Sequence, residues 1–182
     1  AHTTHTECVG HISAAKEAIR IELSTFFFIS KLITITPQKK QKDAIITKRS
    51  IEELVSIDDH LDALIIRTMP NSDDKMFRHY SQTNPPYLVE EAAKYIADIN
   101  VKHLLIDLPS IDKEEDGGAL SSHKSFWGFP DNTRHGATIT ELIYVSNTIK
   151  DGFYLLNLQC LPFENDASPS RPLLFNLIKE KK

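Results

Sequence analysis

Short apolar runs, rich in aromatic and β-branched residues, alternate along this chain with polar, turn-forming segments. Apolar runs of this length between turn signals predict strands that are buried in a sheet. Residues 26–36 (FFFISKLITIT) are the clearest case, because Pro37 ends the run. The predicted strands are residues 26–36, 61–68, 101–108, 137–145, 153–160 and 171–178.

Helical spacing is clearest in residues 87–99, where apolar side chains recur every three or four positions, prolines precede the segment and acidic residues fill its first turn. Ser50 followed by Glu53 has the spacing of a capping box and predicts a short helix over residues 51–58. Residues 117–128 are also helix-like, and the basic segment 38–42 (QKKQK) is predicted to be an exposed loop.

The order strand, helix, strand over residues 61–108 is typical of a crossover between parallel strands. The predicted fold class is therefore α/β, with one domain and one core over residues 1–182. Ligands of such folds collect at the carboxyl edge of the parallel strands, so the loop after Ile106 is expected to border a site.

Composition narrows the function classes. Hydrophobic residues make up 41% and charged residues 25%, which is typical of globular proteins, and the net charge of -4 makes nucleic acid an unexpected partner. Cys8 and Cys160 form no disulfide framework and favour a cytoplasmic location. The most apolar run, residues 26–35, is too short to cross a membrane, and the start at Ala1 without Met suggests a missing or processed N-terminal segment.

The chain opens with AHTTHTECVGH, which holds three histidines and one glutamate. On an extended segment His5 and Glu7 share a face about 7 Å apart at their Cα atoms, a gap that two side chains bound to one metal ion can close. His11 joins them only if the backbone turns, and Gly10 permits such a turn. This spacing predicts a metal site, although isolated histidines are also common surface residues.

Several segments in order resemble the cyclase-like metal-dependent hydrolases, the family of bacterial kynurenine formamidase and isatin hydrolase. That family has an early H-x-G-T-H-x-D-x-P-x-H motif, then D-x-P-S-x-D, a histidine, a glutamate and a small-Pro-x-Arg turn. Here DLPSID (107–112), His123, Glu141 and SPSR (168–171) follow the same order. The resemblance implies a mixed sheet or barrel-like β core with flanking helices, the swivelling β/β/α fold of that family.

Carried over by position, the resemblance makes His5, Glu7, His123 and Glu141 metal ligands and matches His11 to the closing histidine of the motif. His11 is interpreted as the general acid/base, because it follows the Gly10 turn and an imidazole with an ordinary pKa of ~6.5 can both accept and donate a proton. The chain departs from the motif, since Ala1 stands at its first histidine, Thr3 at its glycine and Val9 at its proline. His2 lies one place late for the first ligand and enters the candidate set only with a backbone shift. Glu7 replaces an aspartate of the motif and is one methylene longer. The longer side chain moves the carboxylate outward, so Glu7 is not expected to bridge two ions.

The implied function is a metal-dependent amidohydrolase acting on a small linear or cyclic amide, with one divalent Zn or Mn ion and room for a second. The resemblance also implies a homo-oligomer with sites near subunit contacts, and an N-terminal segment before the motif. Two rivals stay open: a catalytically degenerate relative that binds a small molecule or partner, and an unrelated soluble α/β domain.

The remaining candidate residues have plainer interpretations. His60, His79 and His103 have no ligand-type partner at a useful spacing and are predicted to be structural or surface residues. Asp107 and Asp112 are predicted to brace loops beside the site, and Trp127 to be core or a pocket wall. The acidic run 112–116 is predicted to be a solvated loop, and Cys160 to lie in the middle of a strand.

Overall fold

The computed structural model describes residues 3–178. Within them one mixed sheet has the strand order β10-β1-β8-β7-β5-β2-β9-β11, and a small second sheet has the order β3-β4-β6. The strands are β1 (His5–Glu7), β2 (Phe27–Ile35), β3 (Gln38–Lys40), β4 (Asp43–Ile46), β5 (Ala63–Thr68), β6 (Tyr87–Leu88), β7 (His103–Ile106), β8 (Thr138–Glu141), β9 (Gly152–Asn157), β10 (Ala167–Pro169) and β11 (Leu173–Asn176). The helices are α1 (Ile19–Glu22), α2 (Lys48–Glu52), α3 (Glu90–Asp98) and α4 (Ser121–Trp127).

The centre of the large sheet is parallel, and its flanks are antiparallel. Strands β2, β5, β7 and β8 run in one direction, whereas β1 and β9 pair with them in the opposite direction. Helix α3 connects β5 to β7 as the predicted crossover, and α4 connects β7 to β8. The α/β fold class, with a curled mixed sheet and flanking helices, is therefore confirmed.

Both faces of the central strands are covered, which explains why their sequences are continuously apolar. Leu64 and Ile66 of β5 belong to the larger hydrophobic cluster, together with the buried face of α3. Ala63 and Ile65, one residue out of phase, belong to a second cluster on the opposite face. The sheet thus provides a rigid frame, and the loops at its carboxyl edge have fixed starting points.

Four local predictions were wrong. The basic segment 38–42 is not a loop but part of an antiparallel hairpin of β3 and β4. The helix predicted over 51–58 is α2, and its cap is Thr47, whose side chain accepts a hydrogen bond from Ser50 N. Because Thr47 precedes Ser50 by three residues, it takes the capping position first.

The other errors concern strand ends and the acidic run. Cys160 lies beyond the end of β9 and makes only an isolated bridge to Ser170, so it is not mid-strand. The acidic run 112–116 is not simply solvated, since Asp112 is buried and Glu114 accepts hydrogen bonds from backbone N–H groups of a neighbouring loop. These carboxylates satisfy backbone donors that helices and strands leave unpaired.

Candidate metal centre

The first two residues of the centre lie on β1, and the third lies opposite them on β8. The antiparallel register places His5 directly across from Glu141, and Glu7 two residues further along the same face of β1. His5 Nε2 lies 3.5 Å from Glu141 Oε2, while His5 Nδ1 donates to the carbonyl oxygen of Thr3 at 3.0 Å. The chain start is thus extended over His5–Glu7, and the register of β1 with β8 aligns His5 with Glu141.

Helix α4 brings His123 to the same point from the other side. Its Nε2 lies 2.9 Å from Glu7 Oε1 and 3.7 Å from Glu141 Oε1. Its Nδ1 donates to Asp112 Oδ2 at 2.6 Å, and Asp112 also accepts from the backbone N–H groups of Ser122 and His123. Asp112 therefore fixes both the start of α4 and the orientation of the imidazole.

Ligand-type atoms of the cluster fall into two groups of three, and Glu7 belongs to both. One group is His5, Glu7 and Glu141, and the other is Glu7, His11 and His123; within each, the candidate ligand atoms lie within 4.8 Å of one another. The Glu7 carboxylate has Oε1 near His123 and Oε2 3.5 Å from His11 Nδ1. The longer side chain of Glu7 therefore still reaches both groups.

Burial and neighbouring charges shift the pKa values of the side chains in this cluster. Glu7 and Glu141 are only 2% and 4% exposed. Burial, and then the charge of Glu7, raise the pKa of Glu141. Burial alone would lower the pKa of His123, but its hydrogen bonds to Asp112 and Glu7 raise that pKa to about 10. Burial likewise opposes a raised pKa at His5, and the contact with Glu141 outweighs it.

The donor set fits a divalent cation. Three buried carboxylates (Glu7, Asp112 and Glu141) face two buried imidazoles, and buried carboxylates require compensating positive charge. Both imidazoles engage an outer partner through Nδ1 and present Nε2 to the carboxylates, as metal-ligating histidines commonly do. Zn²⁺ and Mn²⁺ both accept imidazole and carboxylate ligands.

His11 lies at the edge of the cluster, on a 3-10 turn over Val9–His11. This turn requires glycine at position 10, because a Cβ there would overlap the carbonyl oxygen of Glu17. The His11 side chain is 40% exposed, compared with 2% for His123. Its Nδ1 lies 3.0 Å from Asp166 Oδ2, and its ring centroid is 5.6 Å from that of His123.

The other sequence candidates lie elsewhere. His2 is outside the described residues. His60 and His79 are exposed, and neither belongs to a metal-type cluster within residues 3–178. His103 is buried against Phe28 and bonded to Thr138, and Trp127 is buried with its indole N–H donating to Ala137 O.

Sequence reasoning missed two contacts. The backbone N–H of Ile111 donates to Glu141 Oε1 at 3.0 Å, so the DLPSID segment holds a ligand through its main chain as well as through Asp112. Asp166 gave no signal, since it lies 155 residues from His11 in a turn-rich segment. Only the pairing of β1 with β10 brings it there.

A cavity of about 790 Å³ opens beside the centre, at the carboxyl edge of the parallel strands. Its wall includes Thr4, Asp112 and Leu142, which adjoin or contact the candidate ligands. Aromatic and apolar side chains also line it: Phe77, Tyr80, Pro109, Ile143 and Tyr144. The cavity therefore offers space for a small molecule next to the cluster.

The fold and the buried His/carboxylate cluster define an α/β protein with a candidate metal centre. The Cyclase family model, described as "Putative cyclase", matches residues 1–113, and the chain belongs to this family. The match includes His5, Glu7 and His11, whereas His123 and Glu141 lie beyond it. No curated protein matches the chain by sequence.

Solved structures share the fold. A potential metal-dependent hydrolase with cyclase activity is 23% identical, with a TM-score of 0.73 over 98% of this chain and 80% of its own. A predicted metal-dependent hydrolase from Bacillus stearothermophilus is 23% identical, with a TM-score of 0.64 over 95% and 76%. Isatin hydrolase A from Labrenzia aggregata is 16% identical, with a TM-score of 0.67 over 95% and 72%. At these identities the likeness concerns the fold.

Proposed function

We propose that this protein is a metal-dependent hydrolase that cleaves the C–N bond of a small linear or cyclic amide, in the manner of an arylformamidase. One observation carries the proposal. His5, Glu7, His123 and Glu141 come from three separate elements and meet in one buried cluster, in a chain of the Cyclase family. The names of the solved structures, metal-dependent hydrolases and isatin hydrolase, support the same class of reaction.

His5, Glu7, His123 and Glu141 would hold the ion. When bound, a divalent ion supplies Lewis-acid chemistry, which polarises the scissile carbonyl and lowers the pKa of water toward ~7. One ion is the simplest occupancy. A second ion would occupy the group of Glu7, His11 and His123, and it would take His11 as a ligand instead of a general acid/base. Zn²⁺ and Mn²⁺ remain the candidates, because imidazole and carboxylate ligands suit both.

The chain's own residues position and move protons around this centre. Asp112 and the Thr3 carbonyl hold the rings of His123 and His5 through Nδ1, so neither ring needs to reorient. The Ile111 N–H fixes one oxygen of Glu141. His11, at the exposed edge, accepts the proton released by the attacking water and delivers it to the departing nitrogen, as an imidazole near neutral pH can do.

A binding module that retains the fold is the second candidate, because the motif lacks its first histidine at Ala1 and its proline at Val9. Metal analysis and activity separate the two. Purified protein should be stripped with chelator, loaded with Zn²⁺ or Mn²⁺ and assayed against formanilide and isatin as amide probes. Metal-dependent hydrolysis of either supports the enzyme, whereas a tightly held ion or ligand without hydrolysis across a wider amide panel favours the binding module.

We also propose that the chain forms a homo-oligomer in the cytoplasm. Two observations are consistent with this: Cys8 and Cys160 are free thiols, and one face of β2, β9 and β11 carries exposed apolar side chains. The strand registers place these side chains on the same face: Phe27, Ile29, Phe153, Leu173 and Phe175. Among the described residues no helix is long and apolar enough to cross a membrane. Sedimentation equilibrium should show a species heavier than the monomer, and Phe27→Ser should shift it toward the monomer.

A further inference from the structure

The contact between His11 and Asp166 is not part of the ligand cluster. His11 Nδ1 lies 3.0 Å from Asp166 Oδ2 and 3.5 Å from Glu7 Oε2, so two carboxylates face one ring nitrogen. An ionised carboxylate only accepts hydrogen bonds, so the nitrogen between them is the one that carries the proton. A protonated ring nitrogen has no lone pair to offer a metal ion.

This arrangement distinguishes His11 from the two buried histidines. His5 and His123 also engage an outer partner through Nδ1, but their Nε2 atoms lie 2.9 to 3.7 Å from the cluster carboxylates. The contacts of His11 with carboxylates run through Nδ1, and its side chain is much more exposed. The same type of outer hydrogen bond therefore leaves Nε2 of His5 and His123 to the cluster carboxylates, whereas Nε2 of His11 has no carboxylate contact among the described residues.

The backbone holds both partners of this pair in place. Cys8 N donates to the carbonyl oxygen of Asp166 at 2.9 Å, next to the pairing of Glu7 with Ala167. Ile19 N donates to the neighbouring carbonyl of Asn165, also at 2.9 Å. The carboxylate is thus anchored to the turn that bears His11. An exposed ion pair adds little stability by itself, so the contact is better suited to orientation than to folding.

We propose that Asp166 is the positioning residue of His11: its carboxylate accepts a hydrogen bond from Nδ1–H, which fixes the ring tautomer and leaves Nε2 free for proton transfer. The role of His11 Nε2 in proton transfer rests on the proposed function, whereas the tautomer of His11 does not depend on that function. Asp166 acts through His11 and belongs neither to the metal ligands nor to the reacting groups.

Nitrogen-15 NMR of histidine-labelled, metal-stripped protein tests the tautomer directly, with His11→Gln used to assign the signals. Neutral His11 should carry its proton on Nδ1, and Asp166→Ala should convert it to a tautomer mixture. A proton on Nε2 in the parent protein would overturn the proposal. This measurement needs no substrate, so it decides the role of Asp166 even if no amide is hydrolysed and the proposed function fails.

Kinetics and metal content give the second readout. For a hydrolysed probe such as formanilide, Asp166→Ala should lower kcat by roughly 10- to 100-fold, the usual cost of losing an outer hydrogen-bond partner, with KM and bound metal near those of the parent. Asp166→Glu should restore part of kcat. Glu164→Ala is the matched control, since Glu164 lies on the same segment and pairs with Arg20 instead. Unchanged kcat in Asp166→Ala, or lost metal, would refute the positioning role.

Discussion

Two buried polar clusters lie near each other at the carboxyl edge of the sheet, and they differ in charge balance. In the first, Lys75 Nζ donates to Thr68 O, Thr68 Oγ1 and Asp107 Oδ2 at 2.7 to 2.8 Å, and Asp107 also accepts from Thr68 N. One cation meets one anion, and each donor of the ammonium group has a partner. The second cluster places three carboxylates around two imidazoles.

The difference favours a structural role for the first cluster and supports the proposed ion binding by the second. Burial lowers the pKa of Lys75 and raises that of Asp107, with their mutual attraction opposing both changes, and the pair closes on itself. In the His/carboxylate cluster, burial and then the charge of Glu7 raise the pKa of Glu141, and the raised pKa of His123 favours a proton on its imidazole as balancing charge. A divalent ion can replace those protons, whereas the Lys75–Asp107 pair has no place for one.

Removing a carboxylate from the His/carboxylate cluster should have the largest effect on metal affinity and on amide hydrolysis. Glu141→Gln deletes a charged ligand, so metal affinity and amide hydrolysis at limiting metal should fall by more than the ~10- to 100-fold typical of outer-partner changes. Added metal should restore part of the activity. Bound metal measured after dialysis checks the affinity, and retention of the parent's metal content would remove Glu141 from the ligand set.

Replacing His11 should separate proton transfer from metal binding. His11→Ala is expected to lower turnover by ~10²- to 10⁴-fold, the range for loss of a general acid/base, while metal content stays near that of the parent. Turnover and bound metal are measured on the same preparation. If the variant loses its metal as well, His11 is a ligand, and if turnover is unchanged, the proton is transferred by another group.

Breaking the Lys75–Asp107 pair should lower the stability of the fold and leave metal binding intact. Lys75→Met leaves the Asp107 carboxylate buried without its cation, which should lower the free energy of unfolding by ~3–5 kcal/mol. Urea denaturation measures the loss, and Lys75→Met/Asp107→Asn is the matched control, expected to recover part of it. A folded Lys75→Met variant that cannot hold metal would show that the two clusters are coupled.

A smaller effect is expected from pH at His103, a buried histidine outside both clusters. Burial lowers its pKa to about 4, so the folded state favours the neutral ring. The unfolded chain, with a pKa near 6.5, binds the proton first. The stability due to the neutral ring, at most about 3 kcal/mol, is therefore fully present above pH ~6.5 and is lost as the pH falls toward 4. His103→Gln should flatten that part of the stability profile relative to His60→Gln, a change at an exposed site.

The sign is opposite for the cluster histidines in metal-free protein. Their raised pKa values mean that the stabilisation from His5 and His123 is present below pH ~6.5 and is lost as pH rises through their folded-state values. An acid-side loss of stability that persists in His103→Gln would therefore have to come from carboxylates such as Asp112, whose pKa is lowered by its bond to His123 against the effect of burial.

The parts of the fold that follow local patterns were predictable from the sequence. Continuous apolar runs identified β2, β5 and β7, and helical spacing identified α3, because burial on two faces or on one stripe leaves a clear trace. The hairpin of β3 and β4 was missed, since its first strand is fully exposed and basic. Its pairing depends on partners rather than on its own composition.

Only those parts of the candidate site that lie within one segment of the chain were predictable from local spacing. His5 and Glu7 share a strand face, and the family resemblance added His123 and Glu141, but no local pattern connects them. The contact of Asp166 with His11 depends on the register of β1 with β10, and register is a property of the folded sheet. The roles of all these residues remain predictions until metal and activity are measured.

Direct metal titration tests the central claim, that the surplus carboxylates of the cluster hold a divalent ion. Metal-stripped protein should be titrated calorimetrically with Zn²⁺ and Mn²⁺, alongside Glu7→Gln and Lys75→Met/Asp107→Asn. We expect at least one ion per chain in the parent and in the double variant, and loss of binding in Glu7→Gln, since Glu7 belongs to both ligand groups. Parent protein that binds neither ion, or Glu7→Gln that binds as tightly as the parent, would contradict the account.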